Sequence, residues 1–592
     1  MYLNFFHKLR KLIFSPESKF ELLARTLFHR VSAARLFFWI QDKFVKKSYR
    51  HYLRHQHEQF SSAPKIFRYQ PKVTFLLDGS SGLDEDFSTT LASLKALEGD
   101  SWEALILSPK AVDASSLWQE DREDPRIDFV EKQENILDRV SGEFLIFAQP
   151  GDCFLEYLLI CFYQHLEEDQ TGVLFYYNSE VNREYFSLPQ PFFKPGTFSP
   201  ALLLSINYLS RGFIRVSSLR EMHMEIKEGE NLQAQEYQIA LRLYENDGNF
   251  RHIPLILASQ NRWEKPENGR NAKIITNHLT NQGLSKIKTQ KGEVGIRFSW
   301  NHGTPSIAII ILTRNHPAML KGLLQSIKRF QYDYNVELNI VDNDSDDPET
   351  MDYYKEIENG KVIKIIPYHS TFNYSEAINI GVANSKSDLI LLLNDDMQVI
   401  NENWLSELAQ WASLPHIGVV GAKLMRENHT IQHAGIIMGL TGFIGHIYLN
   451  APEHYFGLWG SVDWYRNITA VTGACQMMRR EVFQQAGGYD EGYQLAFGDI
   501  DFCCRVNQLG YQNIYTPYAQ LYHYEGKSRG YVTPVSDILR GYDLLAPYLL
   551  QEDPNFPPCL TYSRIPKCHV KGYSKEARAI LIKERKAFYL QK

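Results

Sequence analysis

The chain has 592 residues, 44% of them hydrophobic and 13% aromatic, so it can bury more than one core and lacks the composition of a disordered protein. Its formal net charge of -6 argues against a general nucleic-acid-binding protein. The seven cysteines are odd in number and form no C-x-x-C pair, which fits a reducing compartment better than a disulfide scaffold or a zinc site.

Residues 1–65 are predicted to form a basic, amphipathic, helical N-terminal arm. Residues 1–55 contain twelve Lys or Arg and three Asp or Glu, and three arginines interrupt the apolar residues of 20–40. Such an arm either lies on an anionic membrane surface or packs on its own domain, and the pattern does not decide between the two. We expect neither a membrane span nor a cleaved signal peptide.

The rest of the chain contains the same order of predicted elements twice. Each half starts with a buried strand, a polar turn and an amphipathic helix, at PKVTFLLDGSSG in the first half and at PSIAIIILTRNH in the second. Second strands follow at 102–107 and 336–342, and third strands that end in a turn follow at 141–152 and 386–397. Late in each half come a helix, at 235–245 and 498–510, and a last strand, at 252–258 and 513–525.

Strands that alternate with helices predict α/β domains with mostly parallel sheets. We expect one domain at 70–265, a polar linker at 266–298, a second domain at 300–545 and a C-terminal tail at 546–592 with a Lys-rich helical end. Ligands of such sheets bind at the carboxyl ends of the strands.

The second half has acidic residues at a strand end. Five apolar residues lead directly into Asn394, Asp395 and Asp396. Adjacent carboxylates at the end of a buried strand repel each other unless a cation lies between them. Mg²⁺ and Mn²⁺ prefer carboxylate and phosphate oxygens, so the pattern indicates a site for one of these ions, with a solvated acidic loop as the alternative.

Six motifs of the second half occur in an order that is specific to one family. They are IIILTRN (309–315), IVDNDSDDPET (340–350), FNYSEAINIG (372–381), LILLLNDDM (389–397), AFGDIDFCCR (496–505) and LYHYEGKSRG (521–530). Over nearly all of 303–560 the chain resembles glycosyltransferase family 2, which has the GT-A nucleotide-sugar fold. It is most similar to the bacterial rhamnosyltransferase-like branch, which builds cell-surface polysaccharide.

The resemblance implies roles for individual residues. Asp396 and His523 would bind the metal ion, and Asp499 would be the catalytic base that takes the proton of the acceptor hydroxyl. The remaining carried-over positions would bind the nucleotide sugar: Thr313, Asn315, Asp342, Asn373, Asn379, Asp395 and Arg529.

Some of these positions have alternative roles, and one follows a departure from the family pattern. Asn373 and Asn379 are also residues typical of the start of a helix, and His523 is as easily a structural histidine as a ligand. Gly498 stands where many relatives have Glu or Asn, so the orientation of Asp499 is an open question.

The first half resembles the same family in the form of a degenerate copy. Where the metal-binding acids are expected, it has Gln149, Pro150, Gly151 and Asp152, and where the base is expected it has Glu236. Too few acids remain to hold a metal ion in the usual way. We therefore expect two tandem GT-A-like domains, of which the first is inactive and kept for packing, acceptor handling or assembly.

The sequence thus predicts a metal-dependent, inverting glycosyltransferase with Mn²⁺ or Mg²⁺ as cofactor. A sugar, L-rhamnose by the branch it resembles, would move from a dTDP- or UDP-sugar to a lipid-linked or oligosaccharide acceptor in O-antigen-like biosynthesis. The protein would be cytoplasmic and touch the cytoplasmic face of the inner membrane through its arm. A bifunctional enzyme with two active domains and a non-catalytic carbohydrate-binding scaffold are the alternatives.

Overall fold

The computed structural model describes residues 47–60, 66–79, 84–107, 123–130, 135–181, 189–261, 270–291, 294–524, 533–562, 568 and 575–590. In this part of the chain the first half forms a nine-stranded sheet. Its strands are β1 (Val73–Asp78), β2 (Trp102–Leu107), β3 (Ile127–Val130), β4 (Phe144–Ala148), β5 (Cys153–Phe154), β6 (Leu174–Val181), β7 (Gln190–Phe192), β8 (Phe213–Arg215) and β9 (Phe250–Gln260).

Two further strands, β10 (Ser285–Lys291) and β11 (Ile296–Asn301), form an antiparallel hairpin. The second half forms a sheet that is ten-stranded in the described residues. Its strands are β12 (Ile307–Thr313), β13 (Val336–Asp342), β14 (Ile363–Pro367), β15 (Leu389–Leu393), β16 (Met397–Val399), β17 (Ile417–Met425), β18 (Ile431–His433), β23 (Arg466–Asn467), β24 (Cys475–Arg479) and β25 (Gln512–His523). Two small ribbons lie outside it, β19 (Ile436–Met438) with β20 (Ile444–His446) and β21 (Phe456–Gly457) with β22 (Gly460–Ser461).

Helices connect the strands in both halves. In the first half they are Glu85–Lys95, Leu158–Glu168, Pro200–Ser205, Val216–Glu221 and Leu232–Glu245, followed by Arg270–Asn281 before the hairpin. In the second half they are Pro317–Lys328, Pro348–Ile357, Tyr374–Ala383, Trp404–Ala412, Arg480–Gln485, Gly498–Gln508, Val535–Leu544, Ala546–Leu549 and Lys575–Leu590.

The two sheets have the same strand order. The first runs β3-β2-β1-β4-β8-β6-β9-β5 and the second runs β14-β13-β12-β15-β24-β17-β25-β16, with β7 added to β6 and β18 added to β17. Each pair also has the same direction in both sheets: for example, β1 is parallel to β4 as β12 is to β15, and β4 is antiparallel to β8 as β15 is to β24. The predicted fold class, two tandem α/β domains with parallel-rich sheets, is confirmed.

The described residues of the segment predicted as a polar linker, 270–291 and 294–298, are largely helix and strand. The helix Arg270–Asn281 and the hairpin β10–β11 lie within or next to it. On β11, Ile296, Phe298 and Trp300 alternate with more exposed residues and are buried, as expected for a strand with one face on a core. Phe298 stacks near Tyr465 of the second half, with ring centroids 4.7 Å apart.

The two halves pack directly against each other. The backbone N–H of Phe193 donates to the carbonyl of Leu458 at 2.8 Å, and the N–H of Tyr465 donates to Oγ of Ser205 at 2.8 Å. One cluster of buried apolar side chains contains residues of both halves, among them Leu202 and Trp464. The contact therefore includes both a dry core and specific polar contacts.

Described residues near both ends of the sequence are packed against the rest of the molecule. The described end of the predicted arm, residues 47–60, is a helix in which Tyr49 and Tyr52 are buried and Gln56 donates to the carbonyl of Ile256 at 2.6 Å. Residues 1–46 of the arm lie outside the described residues. Near the other end, Phe556 and Cys559 are buried, and the Lys-rich end forms the helix Lys575–Leu590. Among the described helices, none has both the length and the apolar character needed to cross a membrane.

Candidate active site

A cavity of about 560 Å³ lies at the carboxyl ends of β12 and β15. Thr313, the last residue of β12, lines it, and so do Asp395 and Asp396, which follow β15. His523, the last residue of β25, and Asp499, at the start of the helix Gly498–Gln508, complete the set. Five of the ten residues predicted from the sequence are therefore brought to one cavity.

Asp396 and His523 are in direct contact. Nε2 of His523 lies 3.3 Å from Oδ1 of Asp396, and both side chains are buried, with 7% and 5% of their surface exposed. The antiparallel pairing of β16 with β25 sets this distance, because Met397 lies opposite His523 and the backbone N–H of Tyr524 donates to the carbonyl of Asp396 at 3.0 Å.

The pair fits two neighbouring ligands of one divalent cation. Ligands at right angles around an ion with bonds of about 2.1 Å lie about 3 Å apart. In the described part of the chain no group of three or more His, Cys, Asp or Glu side chains is arranged to hold a metal ion. Mg²⁺ and Mn²⁺ typically take one or two protein ligands and fill the other positions with water and substrate phosphates, so two ligands suit an ion that arrives with a diphosphate.

Asp395 contacts the neighbouring strand end. Its Oδ2 accepts a hydrogen bond from Oγ1 of Thr313 at 2.7 Å, and both residues are buried. This bond connects the ends of β12 and β15, which are adjacent parallel strands. Asp395 and Thr313 therefore shape the floor of the cavity next to Asp396.

Asp499 is oriented by two backbone N–H groups. Oδ2 accepts from the N–H of Gly473 at 2.7 Å, and Oδ1 accepts from the N–H of Ile500 at 2.9 Å. A Cβ atom at Gly473 would lie 3.2 Å from Cβ of Asp499, so this approach favours glycine. The orientation of Asp499 thus does not depend on the residue before it.

A steric reason also favours glycine at position 498. A Cβ atom at this position would lie 2.7 Å from Oγ of Ser375, which is buried. The preceding residue, Phe497, adopts a φ of 70°, a left-handed conformation that is costly for a side chain of this size. Its ring packs edge-on against Phe443 with centroids 4.9 Å apart and lines the cavity.

Asp342 and Asn315 both contact the loop that follows β13, and neither lines the cavity. Oδ1 of Asp342 accepts from Oγ of Ser345 at 2.5 Å and from the hydroxyl of Tyr354 at 2.8 Å, and burial raises the pKa of Tyr354, which keeps that hydroxyl a donor. Oδ1 of Asn315 accepts the N–H groups of Asp346 and Asp347 at 3.0 and 3.1 Å. Their predicted nucleotide contacts stay predictions.

Asn373 and Asn379 have structural partners as well. Oδ1 of Asn373 caps the helix Tyr374–Ala383 by accepting from the N–H of Glu376 at 3.0 Å. Asn379 donates to the carbonyl of Tyr489 and accepts from its N–H, both at 2.9 Å. Neither lines the cavity, although Phe372 and Tyr374, which flank Asn373, do. The tenth predicted residue, Arg529, lies outside the described residues.

The sequence-based prediction missed a histidine pair. His446 lines the cavity, and its Nδ1 lies 2.9 Å from Nδ1 of His433, which is fully buried. Burial holds the pKa of His433 well below its ordinary value, so this histidine is neutral at pH 7. His433 belongs to the motif IQHAGIIMG, but His446 lies thirteen residues later on β20, and only the β19–β20 ribbon brings it back.

The two acids retained in the first half also lie together. Asp152 follows β4 and Glu236 lies on the helix Leu232–Glu245, and both contact the buried side chain or backbone of Arg211.

Comparisons with known proteins give the following similarities. The family model "Glycosyl transferase family 2" matches residues 308–487. The chain is 32% identical over 438 residues to the uncharacterized protein y4gI of Sinorhizobium fredii, which covers 69% of this chain and 48% of that protein. It is 32% identical over 410 residues to the O-antigen biosynthesis protein RfbC of Myxococcus xanthus, covering 66% of this chain and 32% of that protein. The chain thus spans about half, or less, of the length of these two relatives.

Two more distant similarities concern a short segment and the fold. Over 65 residues the chain is 34% identical to an N-acetylglucosaminyl-diphospho-decaprenol L-rhamnosyltransferase of Mycobacterium tuberculosis, which covers 11% of this chain and 21% of that protein. Among solved structures, GalNAc-T7 with UDP, GalNAc and Mn²⁺ aligns with a TM-score of 0.36 and 15% identity over 42% of this chain and 50% of that one.

Proposed function

Residues 308–487 belong to glycosyl transferase family 2, and from this premise we propose that the second domain transfers a sugar from a nucleoside-diphosphate donor to a hydroxyl group of a glycan acceptor. The transfer inverts the configuration at the anomeric carbon. The observation that supports this proposal most is the shared cavity: the Asp396–His523 pair and Asp499 line the same 560 Å³ space and come from different elements.

The metal ion belongs to the donor side of this cavity. Asp396 and His523 are the residues that would hold Mn²⁺ or Mg²⁺, and the ion when bound supplies positive charge that stabilises the departing nucleoside diphosphate. Asp395, held by Thr313, keeps a second negative charge close to this position.

Asp499 belongs to the acceptor side. In an inverting transfer the acceptor oxygen attacks the anomeric carbon as the bond from that carbon to the diphosphate oxygen breaks, and the hydroxyl proton passes to a carboxylate. The N–H groups of Gly473 and Ile500 hold both oxygens of Asp499 in place, and a carboxylate positioned in this way can take the proton.

The donor and acceptor are assigned from resemblance and from relatives. The rhamnosyltransferase-like motifs favour dTDP-L-rhamnose, with a UDP-sugar as the alternative. One relative is named as an O-antigen biosynthesis protein, and the short match is to an enzyme whose name gives a diphospho-decaprenol acceptor. We therefore propose a lipid-linked glycan as acceptor, used at the cytoplasmic face of a membrane in cell-surface polysaccharide synthesis.

A nucleotide-sugar screen tests this function. The full chain is incubated with MnCl₂, a lipid-linked acceptor and, in turn, dTDP-rhamnose and a panel of UDP- and GDP-sugars, and released nucleoside diphosphate is measured. We expect turnover with one donor and a product of inverted anomeric configuration by NMR. The variant Asp396→Ala should lose this turnover, whereas the matched control Asp352→Ala, an exposed acid of the helix Pro348–Ile357, should keep it.

The same experiment separates the alternatives. A bifunctional enzyme would keep one transfer reaction in the Asp396→Ala variant. A non-catalytic scaffold would show no turnover and no metal-dependent rise of Tm with UDP or dTDP. Either result contradicts the proposal.

A further inference from the structure

The first domain has a buried cation of its own, Arg211, at the position that corresponds to the candidate active site. Nε and Nη2 of Arg211 lie 2.7 and 3.4 Å from the two carboxylate oxygens of Asp152, and Nη1 lies 4.0 Å from Oε2 of Glu236. The three residues expose only 3%, 1% and 2% of their surface. A charge cluster this deeply buried is costly unless its charges are paired.

Asp152 corresponds to Asp396 by strand register. In the first sheet Cys153 of β5 lies opposite Ser259 of β9, and in the second sheet Met397 of β16 lies opposite His523 of β25. The residue before β5 is Asp152, and the residue before β16 is Asp396. The histidine of the second domain is thus matched by Ser259, whose hydroxyl is a poor ligand for a divalent cation.

Glu236 corresponds to Asp499 by its contact. Each lies on the helix that precedes the last long strand, and each accepts a backbone N–H from the residue two positions before β8 or β24. In the second domain that residue is Gly473, at 2.7 Å, and in the first it is Arg211, at 2.6 Å. At this position the second domain has a glycine, which has no side chain, and the first domain has the guanidinium group of Arg211.

We propose that Arg211 is a built-in cation that takes the place of the metal ion in the first domain. Its planar fork pairs with the carboxylate of Asp152, and its backbone holds Glu236, so the positive charge beside the two acids comes from the chain itself. The domain cannot bind a nucleotide sugar there, and its two acids persist as partners of the arginine. The comparison with a metal site rests on the function proposed for the second domain. The contacts of Arg211 with Asp152 and Glu236 are independent of that function.

Thermal unfolding of the full chain tests the proposal without any substrate. All variants carry Asp396→Asn, so that the second domain does not respond to metal. We expect Arg211→Ala, which leaves two buried carboxylates without their cation, to lower Tm by roughly 5–15 °C. We expect MnCl₂ to recover part of this loss in Arg211→Ala. It should change little the Tm of the parent, which carries Asp396→Asn alone.

A charge-free variant keeps the proposal testable if Arg211→Ala does not fold. In the triple variant Asp152→Asn, Glu236→Gln, Arg211→Met no buried charge remains, so its Tm should lie close to that of the parent and should not respond to MnCl₂. The proposal is overturned if Arg211→Ala unfolds at the parent's temperature, if MnCl₂ does not raise its Tm, or if the triple variant loses as much as Arg211→Ala.

Discussion

At the scale of the single residue, the cavity of the second domain brings together groups with different chemistry. Asp396 touches a histidine, Asp395 accepts a hydrogen bond from a threonine hydroxyl, and Asp499 accepts the backbone N–H groups of Gly473 and Ile500. Three carboxylates with three kinds of partner can have three roles. This difference in partners leads to separate predictions for the metal side and the acceptor side.

Replacing Asp499 with Asn should remove proton uptake and keep the hydrogen bond from Gly473. An asparagine oxygen can still accept the N–H of Gly473, but the NH₂ group cannot accept the N–H of Ile500, and an amide does not take a proton from a hydroxyl group. We expect kcat to fall by about 10²–10⁴-fold, while the rise of Tm with nucleoside diphosphate and MnCl₂ stays as in the parent. A variant with nearly normal kcat would exclude Asp499 as the base.

Replacing His523 with Gln should weaken metal binding more than it changes the fold. In the proposed function the histidine is one of two protein ligands, so we expect the MnCl₂ concentration that gives half of the nucleotide-dependent Tm rise to increase at least about tenfold. The matched control is His429→Gln, because His429 is an exposed histidine on the loop before β18. Equal metal dependence in both variants would show that His523 is a structural histidine.

The sequence predicts the residues that line the cavity better than those around it. Thr313, Asp395 and Asp396 directly follow or end buried strands, and the position of such residues depends on the local chain alone. The partner of Asp342, in contrast, is Tyr354, which lies a helix turn beyond the loop, and Asn373 serves as a helix cap. Motif spacing does not distinguish a ligand contact from a cap, because both use the same side-chain oxygen.

At the scale of the element, the regular strands and helices were predictable and the short ones were not. The helix predicted at 498–510 is observed at Gly498–Gln508, and the strand predicted at 513–525 is observed at Gln512–His523. Strands β5 and β16, of two and three residues, carry no period that a sequence pattern can detect, yet β16 sets the contact between Asp396 and His523. Their existence depends on the partner strand rather than on their own residues.

The loop around Asp553 connects the C-terminal tail to the second sheet, and its carboxylate should make stability depend on pH. Oδ2 accepts the N–H of Met438, and Oδ1 accepts the hydroxyl of Thr469, both at 2.7 Å. Burial raises the pKa of Asp553 from 3.8 to about 6. Because the folded-state pKa is the higher one, the fold favours the protonated acid, and the stability that it adds is lost as the pH rises to about 6.

The variant Asp553→Asn removes this dependence, since an amide stays neutral. We expect its free energy of unfolding, relative to the parent, to increase by about 2 kcal/mol between about pH 4.5 and pH 7. Urea unfolding of both proteins at the two pH values measures the difference, and any pH-independent loss of hydrogen bonding cancels. Parallel pH profiles would contradict the assignment.

At the scale of the whole molecule, the C-terminal tail, residues 546–592, contacts both domains through Pro554 and Phe556. The carbonyl groups of Pro554 and Phe556 accept the N–H groups of Thr197 and Gly196 in the first domain at 2.9 and 3.2 Å. The ring of Phe556 packs against Trp459 of the second domain with centroids 5.4 Å apart, and Phe556 is 2% exposed. The tail is therefore part of the interface and not an appendage.

Truncating Phe556 to alanine should destabilise the molecule as a unit. Loss of a buried phenylalanine ring costs about 3–5 kcal/mol of unfolding free energy. We expect Phe556→Ala to shift the urea unfolding curve by this amount, while Phe588→Ala, at a ring that is 54% exposed, leaves it unchanged. Equal curves for Phe556→Ala and the parent would mean that the tail does not bear on stability.

The contact between residues 48 and 568 has a consequence for biosynthesis. The backbone N–H of Cys568 donates to Oγ of Ser48 at 3.3 Å, across 520 positions of sequence, and Nδ2 of Asn178 donates to Sγ of Cys559 at 3.4 Å. A ribosome delivers residue 48 long before residue 559. The contacts of Ser48 and Asn178 with this segment thus form only after residues 559–568 have emerged, and a nascent first domain is exposed to chaperones and proteases without them for that interval.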